Sequence, residues 1–312
     1  MNKLLVIAGP TASGKSALAS ALAGEFGGTV INADSMQVYR GVPILTAQPS
    51  QAEQERLRHR LYGVMAPSEV CSAGIWRAMA AEACEAAWAE GKLPVVVGGT
   101  GLYLRSLVEG LSPVPEIPDD LRDESRALFA ELGNARFHER LAERDPVMAA
   151  RLDPGNSQRL VRAWEVLVAT GRSLADWQAD PREGGLDAKS LTLLLSPPRE
   201  ALYQNCDRRL EIMLDQGALA EVEALTALGL DPALPAMKAL GVAEFSAYLR
   251  GESDLASALA TAQQSTRRYA KRQLTWFRHQ LIPQMTIEEQ LSESYMQKIY
   301  AFIRSDLLTV SI

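Results

Sequence analysis

The sequence has little that would support a secreted, membrane-embedded or zinc-binding protein. Its three cysteines, Cys71, Cys84 and Cys206, are odd in number, widely spaced and unaccompanied by histidine at metal-ligand spacing. Neither a disulfide framework nor a zinc site is therefore expected. Asn2 and Lys3 precede only five apolar residues before a Gly-Pro pair, too few for a signal peptide, and no later apolar run could span a bilayer. These absences predict a cytoplasmic protein that does not enter membranes.

Internal repeats, long polar low-complexity tracts and an excess of positive charge are also missing. The 312 residues are 47% hydrophobic and 22% charged, a composition typical of a globular protein. This length suits one α/β core that carries an insertion. A net charge of −6 argues against a surface that attracts nucleic acid everywhere. The positions of the basic residues therefore matter more than their number, and no obligate protein partner is inferred.

The strongest functional pattern lies near the N-terminus. Residues 4–8 form an apolar run, typical of a buried strand, and the following turn GPTASGKS matches the phosphate-loop pattern G-x-x-x-x-G-K-[ST]. Backbone N–H groups of such a turn surround an anionic oxygen, and the helix that follows favours negative charge at its N-terminus. We expect the turn to bind a diphosphate or a nucleotide such as ATP, and Mg²⁺ at Ser16. The predicted ligand-binding residues are Gly9, Pro10, Thr11, Ala12, Ser13, Gly14, Lys15 and Ser16.

Two further polar residues follow predicted strands. Asp34 comes after the strand predicted at 29–33, and Thr100 lies in the glycine-rich turn after the strand predicted at 93–97. Ligands of open parallel sheets gather beyond the carboxyl ends of the strands, so both are candidates for the same crevice. The Asp34 carboxylate could bind Mg²⁺ through water, act as a base or merely cap the next helix. The turn at Thr100 could equally be a packing turn.

A proline-rich segment, residues 112–118, precedes a change to charged, helical sequence. We predict core residues 1–116, a helical insertion over 117–188, the remainder of the core over 189–280 and a helical tail over 281–312. Within the insertion, Gln158 and Arg162 lie one helical turn apart and share a face. Such a pair is more often solvated surface than binding site.

Basic residues of the later helices stand out against the acidic total. Arg209 lies at the edge of an apolar helical stripe, where a guanidinium needs an anionic partner such as a ligand phosphate or an internal carboxylate. No acidic residue lies between Asp254 and Ile287, and a predicted long helix there has a basic face. That face suits a phosphate backbone, although a solvated surface explains it as well. Its residues are Arg267, Arg268, Lys271 and Arg272.

Six of these stretches, taken together and in order, resemble the bacterial tRNA dimethylallyltransferases, also called isopentenyl-tRNA transferases. They are GPTASGKS, INADSMQVY, VGGTGLYL, NSQRLVRAWEVLVATG, RRLEIMLDQGALAEVEAL and RRYAKRQLTWFR. The resemblance implies a P-loop NTPase-like α/β fold with a parallel sheet and a helical insertion domain. It also implies transfer of a dimethylallyl group from dimethylallyl diphosphate to the exocyclic amine of the adenine on the 3′ side of the anticodon.

The resemblance assigns roles to individual residues. Asp34 would accept a proton or hydrogen bond from the amine, Thr100 would lie near the bridging oxygen, and Arg209 would assist at the diphosphate. Arg122 would assist there or in its surroundings. The insertion and the basic helix would contact the anticodon stem-loop. The implied tRNA-binding residues are Asp34, Ser35, Met36, Gln37, Thr100, Arg122, Gln158, Arg159, Leu160, Val161, Arg162, Arg268 and Arg272.

Two other functions are compatible with the phosphate loop. A small-molecule kinase would use ATP there with Asp34 as base, but the sequence has no convincing arginine-rich lid, and a small substrate needs neither insertion nor basic helix. The second alternative is an ATPase or nucleotide-dependent switch that binds RNA without modifying it. Against it, neither later predicted strand, 93–97 or 191–195, ends in an acid of the kind that holds Mg²⁺ in many ATPases.

Overall fold

A computed structural model of the protein describes residues 2–289 and 292–308 and divides the chain into two compact units. The first unit contains the chain up to Val108 and from Leu186 onward, and the second is Glu109–Gly185. The inserted unit thus begins before the predicted residue 117 and ends before 188. It includes the proline-rich connection, and an isolated bridge between Leu111 and Glu183 joins its two ends.

The first unit is built on a parallel sheet of six strands in the order β3-β2-β4-β1-β5-β6. The predicted α/β class with a parallel sheet and a helical insertion is therefore confirmed. The two strands that the sequence did not predict, β3 and β6, are the shortest. The strands are β1 (Asn2–Ala8), β2 (Gly28–Asn32), β3 (His59–Arg60), β4 (Leu93–Gly98), β5 (Ala188–Leu195) and β6 (Met285–Ile287).

Helices follow most of the strands, as the alternating pattern of the sequence predicts. The predicted stretches at 72–90, from Arg199 and from Leu255 are helices within a residue or so of the expected positions. The described helices are α1 (Lys15–Phe26), α2 (Pro43–Thr46), α3 (Gln51–Arg56), α4 (Ala73–Ala89), α5 (Gly101–Glu109), α6 (Asp119–Arg144), α7 (Pro146–Ala150), α8 (Ser157–Thr170), α9 (Leu174–Trp177), α10 (Arg199–Asp215), α11 (Ala218–Ala227), α12 (Val242–Leu249), α13 (Leu255–Gln280) and α14 (Glu293–Ile303), with a 3₁₀ turn at Ala236–Lys238 and a π turn at Arg304–Leu308.

Both faces of the sheet are buried, which explains why its strands are continuous apolar runs. Side chains of β1 alternate between two cores: Leu4 and Val6 pack with residues of α4, α5 and α13, whereas Leu5 and Ile7 pack with α1 and α14. The tail helix predicted from Tyr295, Ile299 and Phe302 is α14 and covers the second of these faces. Leu291, also part of that pattern, lies outside the described residues.

The second unit has its own small core. Helices α6, α7, α8 and α9 surround Phe137, Leu141, Leu160 and Trp164, and the Phe137 ring contacts the Trp164 ring edge-on at a centroid distance of 5.7 Å. Gly133 interrupts α6 with a φ of 68°, a conformation that glycine adopts without strain. Within the part of the chain that the structure describes, no helix is both long and apolar enough to cross a bilayer.

Candidate active site

The register of three neighbouring strands brings three loops together. Ala8 of β1 is paired with Gly98 of β4, and Asn32 of β2 is paired with Val97 of β4. The strands are parallel, so their carboxyl ends lie at one edge of the sheet. The phosphate loop (Gly9–Ser16), the turn that contains Asp34 and the turn that contains Thr100 therefore start side by side, as the strand pattern predicts.

The phosphate loop has the backbone geometry of an anion site. Gly14 and Ala12 adopt positive φ values of 87° and 61°, which turn successive N–H groups toward one side of the loop. Helix α1 begins directly after Gly14, which has no side chain to cap it, so the N-terminal N–H groups remain available to a ligand. Lys15 is buried over the loop, where its ammonium donates to the Pro10 carbonyl at 3.2 Å.

Two side chains of the loop fit a bound phosphate group. The Ser13 hydroxyl is buried and has no hydrogen-bond partner among the described residues, a costly arrangement unless a ligand supplies one. A Cβ at Gly9 would lie 2.8 Å from that hydroxyl oxygen, so glycine leaves room for it. The Ser16 side chain is exposed at the start of α1 and can reach a metal ion held by a ligand phosphate.

Asp34 is held by a local hydrogen-bond network and does not cap a helix. Its Oδ1 accepts from the Met36 N–H at 2.9 Å, and its own N–H donates to the Asn32 side chain at 2.8 Å. Asn32 is fully buried, and its amide also donates to the Asp34 and Leu61 carbonyls at 3.0 Å. The predicted helix-capping alternative for Asp34 is thus wrong, since residues 35–38 form a turn rather than a helix and the Asp34 carboxylate closes that turn.

The turn at Thr100 is joined directly to the turn at Asp34. The Thr100 hydroxyl oxygen accepts from the Ser35 N–H at 2.9 Å and donates to the Ser35 hydroxyl at 3.3 Å. The Thr100 N–H donates to the Ala33 carbonyl at 3.2 Å. Gly98 permits this approach, because a Cβ there would lie 2.0 Å from the Ala33 carbonyl oxygen. The predicted convergence of Thr100 and Asp34 is therefore present.

Lys15, Asp34 and Arg209 form the charged centre of the site. Burial lowers the pKa of Lys15 to about 8, and the Asp34 carboxylate partly offsets that effect. Burial also lowers the pKa of Arg209, again against the influence of Asp34. The Arg209 guanidinium donates to the Thr46 carbonyl at 3.3 Å, and the residue also lines an open cavity beside the phosphate loop. Two desolvated cations beside one carboxylate give the site a net positive charge suited to an anionic ligand.

A cavity of about 820 Å³ opens beside the phosphate loop. It is lined by Ala12 and Gly14 of the loop, by Ile44 of α2 and by Arg209 and Met213 of α10. The Glu221 carboxylate secures this wall by accepting from the Ile44 and Leu45 N–H groups at 2.7 and 2.9 Å. A ligand can therefore reach the loop between an apolar wall and Arg209.

Other predicted residues near the site differ in accessibility. Ser35 and Met36 are half-buried, whereas the Gln37 side chain is buried and donates to the Thr46 and Ala47 carbonyls at 2.8 Å each. The amide nitrogen of Gln37 thus donates both of its hydrogen bonds within the protein and has none left for RNA. A sequence pattern cannot distinguish such internal use of a polar side chain from ligand binding.

The basic surface of α13 is narrower than the sequence predicts. Arg268, Lys271 and Arg272 are exposed and form what we call the basic face of α13. Arg267 does not belong to it, because its guanidinium is half-buried and forms an ion pair with Asp207 of α10. The prediction that Arg267 belongs to the basic face of this helix is therefore wrong.

The remaining predicted residues lie in the second unit. Gln158 and Arg159 are exposed, and Arg162 is partly exposed with its guanidinium 3.6 Å from the Glu165 carboxylate. Leu160 is fully buried in the core of this unit, so the surface contact predicted for it is wrong. Two more predicted residues are half-buried: Val161, and Arg122, whose guanidinium lies 3.1 Å from the Asp119 carboxylate.

Gln273 is the main site residue that the sequence analysis missed. It is buried on α13, where its Oε1 accepts from the Thr11 N–H at 2.8 Å and its Nε2 donates to the Gly99 carbonyl at 2.9 Å. One signal could have revealed it: Gln273 interrupts the buried stripe of Ala262, Ala270 and Phe277. A polar residue in such a stripe needs hydrogen-bond partners from elsewhere in the chain.

Known proteins similar to this chain share one activity in their names. A tRNA dimethylallyltransferase from Paramagnetospirillum magneticum is 58% identical over 305 residues, which cover 98% of this chain and 97% of that protein. The enzyme of the same name from Rhodospirillum centenum is 58% identical over 281 residues, covering 89% of each chain. Near-complete coverage at this identity establishes common descent over both units.

Solved structures similar to this chain carry names of the same activity. The full-length tRNA isopentenylpyrophosphate transferase from Bacillus halodurans superposes with a TM-score of 0.72 at 32% identity, covering 99% of this chain and 97% of that one. A eukaryotic dimethylallyltransferase acting on tRNA gives a TM-score of 0.83 at 28% identity, covering 97% of this chain and 78% of that one. Residues 37–280, most of the chain, match the family described as IPP transferase. The resemblance seen in the six sequence motifs is confirmed, and the chain belongs to the IPP transferase family.

Proposed function

We propose that the protein transfers a dimethylallyl group from dimethylallyl diphosphate to the exocyclic amine of the adenine on the 3′ side of the anticodon in tRNA, with release of diphosphate. The observation that carries the proposal is the convergence of the phosphate loop, Asp34 and Thr100 at one edge of the sheet. The family membership and the names of the relatives support the same activity.

The leaving group sets the main physical requirement. An adenine amine is a weak nucleophile because its lone pair is delocalised into the ring, so catalysis depends on positioning and on stabilising the departing diphosphate. The phosphate loop supplies backbone N–H groups, the Ser13 hydroxyl and the Lys15 ammonium for this purpose. Arg209 lies close enough to Lys15 to add positive charge.

Mg²⁺ fits the oxygen donors of this site. It binds proteins through one or two side chains together with substrate phosphates and water, and the exposed Ser16 hydroxyl is suited to that role. No cluster of three or more His, Cys, Asp or Glu within the described residues could hold a metal alone, so the diphosphate would supply most of the ligands. When bound, Mg²⁺ neutralises negative charge on the diphosphate.

Asp34 and Thr100 have distinct roles in this proposal. The Asp34 carboxylate accepts the proton or hydrogen bond of the attacking amine, with its orientation fixed by Met36 and Asn32. In the proposal Thr100 lies near the bridging oxygen of the donor. Its bond to the Ser35 N–H connects it to the turn that would meet the base. The base must leave its stack to enter this crevice.

Binding of the RNA needs contacts away from the crevice. The basic face of α13 supplies phosphate contacts on an otherwise acidic protein. In the second unit, the exposed Gln158 and Arg159 and the partly exposed Arg162 and Arg122 provide further polar contacts. An anticodon stem-loop offers both phosphates and splayed bases to such a surface.

The proposed activity is tested by measuring which labelled group the protein transfers to tRNA. Purified protein is incubated with unmodified tRNA, Mg²⁺ and either dimethylallyl diphosphate labelled in its hydrocarbon or ATP labelled in its terminal phosphate. We expect hydrocarbon label in the RNA. Transfer of the phosphate label to a metabolite would favour the kinase alternative, and ATP hydrolysis without alkylation would favour the ATPase alternative.

The variant Asp34→Asn should lose dimethylallyl transfer while it still binds tRNA. The substituted amide keeps an oxygen that can accept from the Met36 N–H and loses the charge needed to accept a proton. Loss of a general base lowers kcat by roughly 100- to 10,000-fold, while the Kd for tRNA should stay close to that of the native protein. Equal losses in rate and in RNA affinity would contradict the role of Asp34 as base.

Lys15 should make diphosphate binding sensitive to pH. Because burial lowers the pKa of Lys15 in the free protein to about 8, the side chain loses its charge above that pH and must take up a proton when an anion binds. The affinity for inorganic pyrophosphate should therefore fall as pH rises above about 8, approaching about tenfold per pH unit. Calorimetry on Lys15→Arg provides the comparison, since arginine stays charged and ionisation of the ligand is common to both proteins. An equal slope in the two proteins would contradict the assignment.

Replacing Arg268 and Arg272 together by alanine should weaken binding of an anticodon stem-loop RNA and flatten its salt dependence. Each lost phosphate contact reduces the slope of log affinity against log salt by roughly 0.7 to 0.9. Arg250→Ala is the matched control, because Arg250 is exposed and pairs with Glu252. A double variant whose salt slope equals that of the control would remove the basic face of α13 from the RNA interface.

A further inference from the structure

Gln273 contacts both halves of the site through one side chain. Its carbonyl oxygen accepts from the N–H of Thr11 in the phosphate loop, and its amide nitrogen donates to the carbonyl of Gly99, next to Thr100. Both distances are below 3 Å, at 2.8 and 2.9 Å, and the side chain is only 6% exposed. Water therefore competes little for either bond.

Neighbouring residues on the same face of α13 extend this contact. Tyr269, one turn before Gln273, lies beside the Thr100 side chain, and Trp276 packs on Gly101. A Cβ at Gly99 would lie 2.1 Å from the Gln273 amide nitrogen, and one at Gly101 would lie 2.1 Å from the Trp276 ring. The glycines of this turn are thus required by the approach of α13.

We propose that Gln273 is a positioning residue, which holds the phosphate loop and the turn at Thr100 at the separation that alkyl transfer requires. The inference rests on the proposed function, in which the loop binds the diphosphate of the donor, Thr100 lies near its bridging oxygen, and the turn at Asp34, which is bonded to Thr100, meets the acceptor base. Strand pairing aligns β1 with β4 only as far as Ala8 and Gly98. Beyond that point the two loops depend on side chains such as Gln273 for their relative position.

The reaction is sensitive to that separation. The electrophilic carbon and the amine nitrogen must approach to about 3 to 3.5 Å, and a shift of about 1 Å can cost on the order of 100-fold in rate. A change of this kind affects the chemical step more than the binding of either substrate. Gln273 should therefore contribute mainly to kcat.

Glutamine is suited to this position because it combines an acceptor and a donor. Glutamate in its place would keep the acceptor for the Thr11 N–H but set a carboxylate oxygen against the Gly99 carbonyl. Methionine would fill the space without either bond. The two substitutions separate loss of one anchor from loss of both.

The experiment measures kcat for dimethylallyl transfer to an anticodon stem-loop RNA by Gln273→Glu and Gln273→Met in the full chain. We expect kcat to fall by roughly 10- to 100-fold in both. The Kd values of the folded protein for inorganic pyrophosphate and for the RNA should change by no more than about threefold. The melting temperature of Gln273→Glu should fall, because a buried carboxylate oxygen then faces the Gly99 carbonyl, so kcat is expressed per folded molecule.

Gln263→Met is the control on the same helix. The Gln263 side chain is half-buried and donates to the Asp207 carbonyl and the Glu211 carboxylate at 3.3 Å each, away from both turns, so this variant should keep native kcat. The inference is overturned if Gln273→Glu keeps native kcat, or if Kd and kcat change in proportion. It is also overturned if both Gln273 variants lose activity only by unfolding, with native kcat per folded molecule. A native protein that alkylates no RNA would instead refute the proposed function, and the inference with it.

Discussion

Parallel pairing of β2, β4 and β1 is the constraint on which the site depends. It places the residues after Asn32, Gly98 and Ala8 at one edge of the sheet, and hydrogen bonding along whole strands fixes that arrangement. Apolar residues on both faces of these strands specify their burial. The paired strands therefore fix the position of the site, and short loops after the strands are enough to bring its polar residues together.

The loops themselves are held by close backbone approach and by a few buried amides. Gly98 lets one turn pack against the carbonyl of Ala33, Asn32 fixes the backbone of Asp34, and Gln273 bonds to two loops at once. Such buried hydrogen bonds are costly to leave unpaired, which makes their geometry specific. The result is a site whose geometry is fixed by the fold and whose buried cations, Lys15 and Arg209, suit an anionic ligand.

Much of this arrangement could be predicted from the sequence, because it depends on local patterns. The phosphate loop follows from its spacing, and the meeting of Asp34 with Thr100 follows from their places after neighbouring strands. The bonds of Gln273 could not be predicted, since Thr11 lies 262 residues away in sequence. Pairing of Arg267 with another helix escaped prediction for the same reason. Strands β3 and β6 span two and three residues, too few for a visible alternation.

The central claim is that the loop holds a departing diphosphate, so that the bond between carbon and the bridging oxygen breaks. Dimethylallyl diphosphate with an isotopic label in that bridging oxygen tests it directly. After one turnover with tRNA, mass spectrometry of the products should find all of the label in the released diphosphate and none in the RNA. Label retained with the hydrocarbon, or a phosphorylated RNA product, would contradict the account.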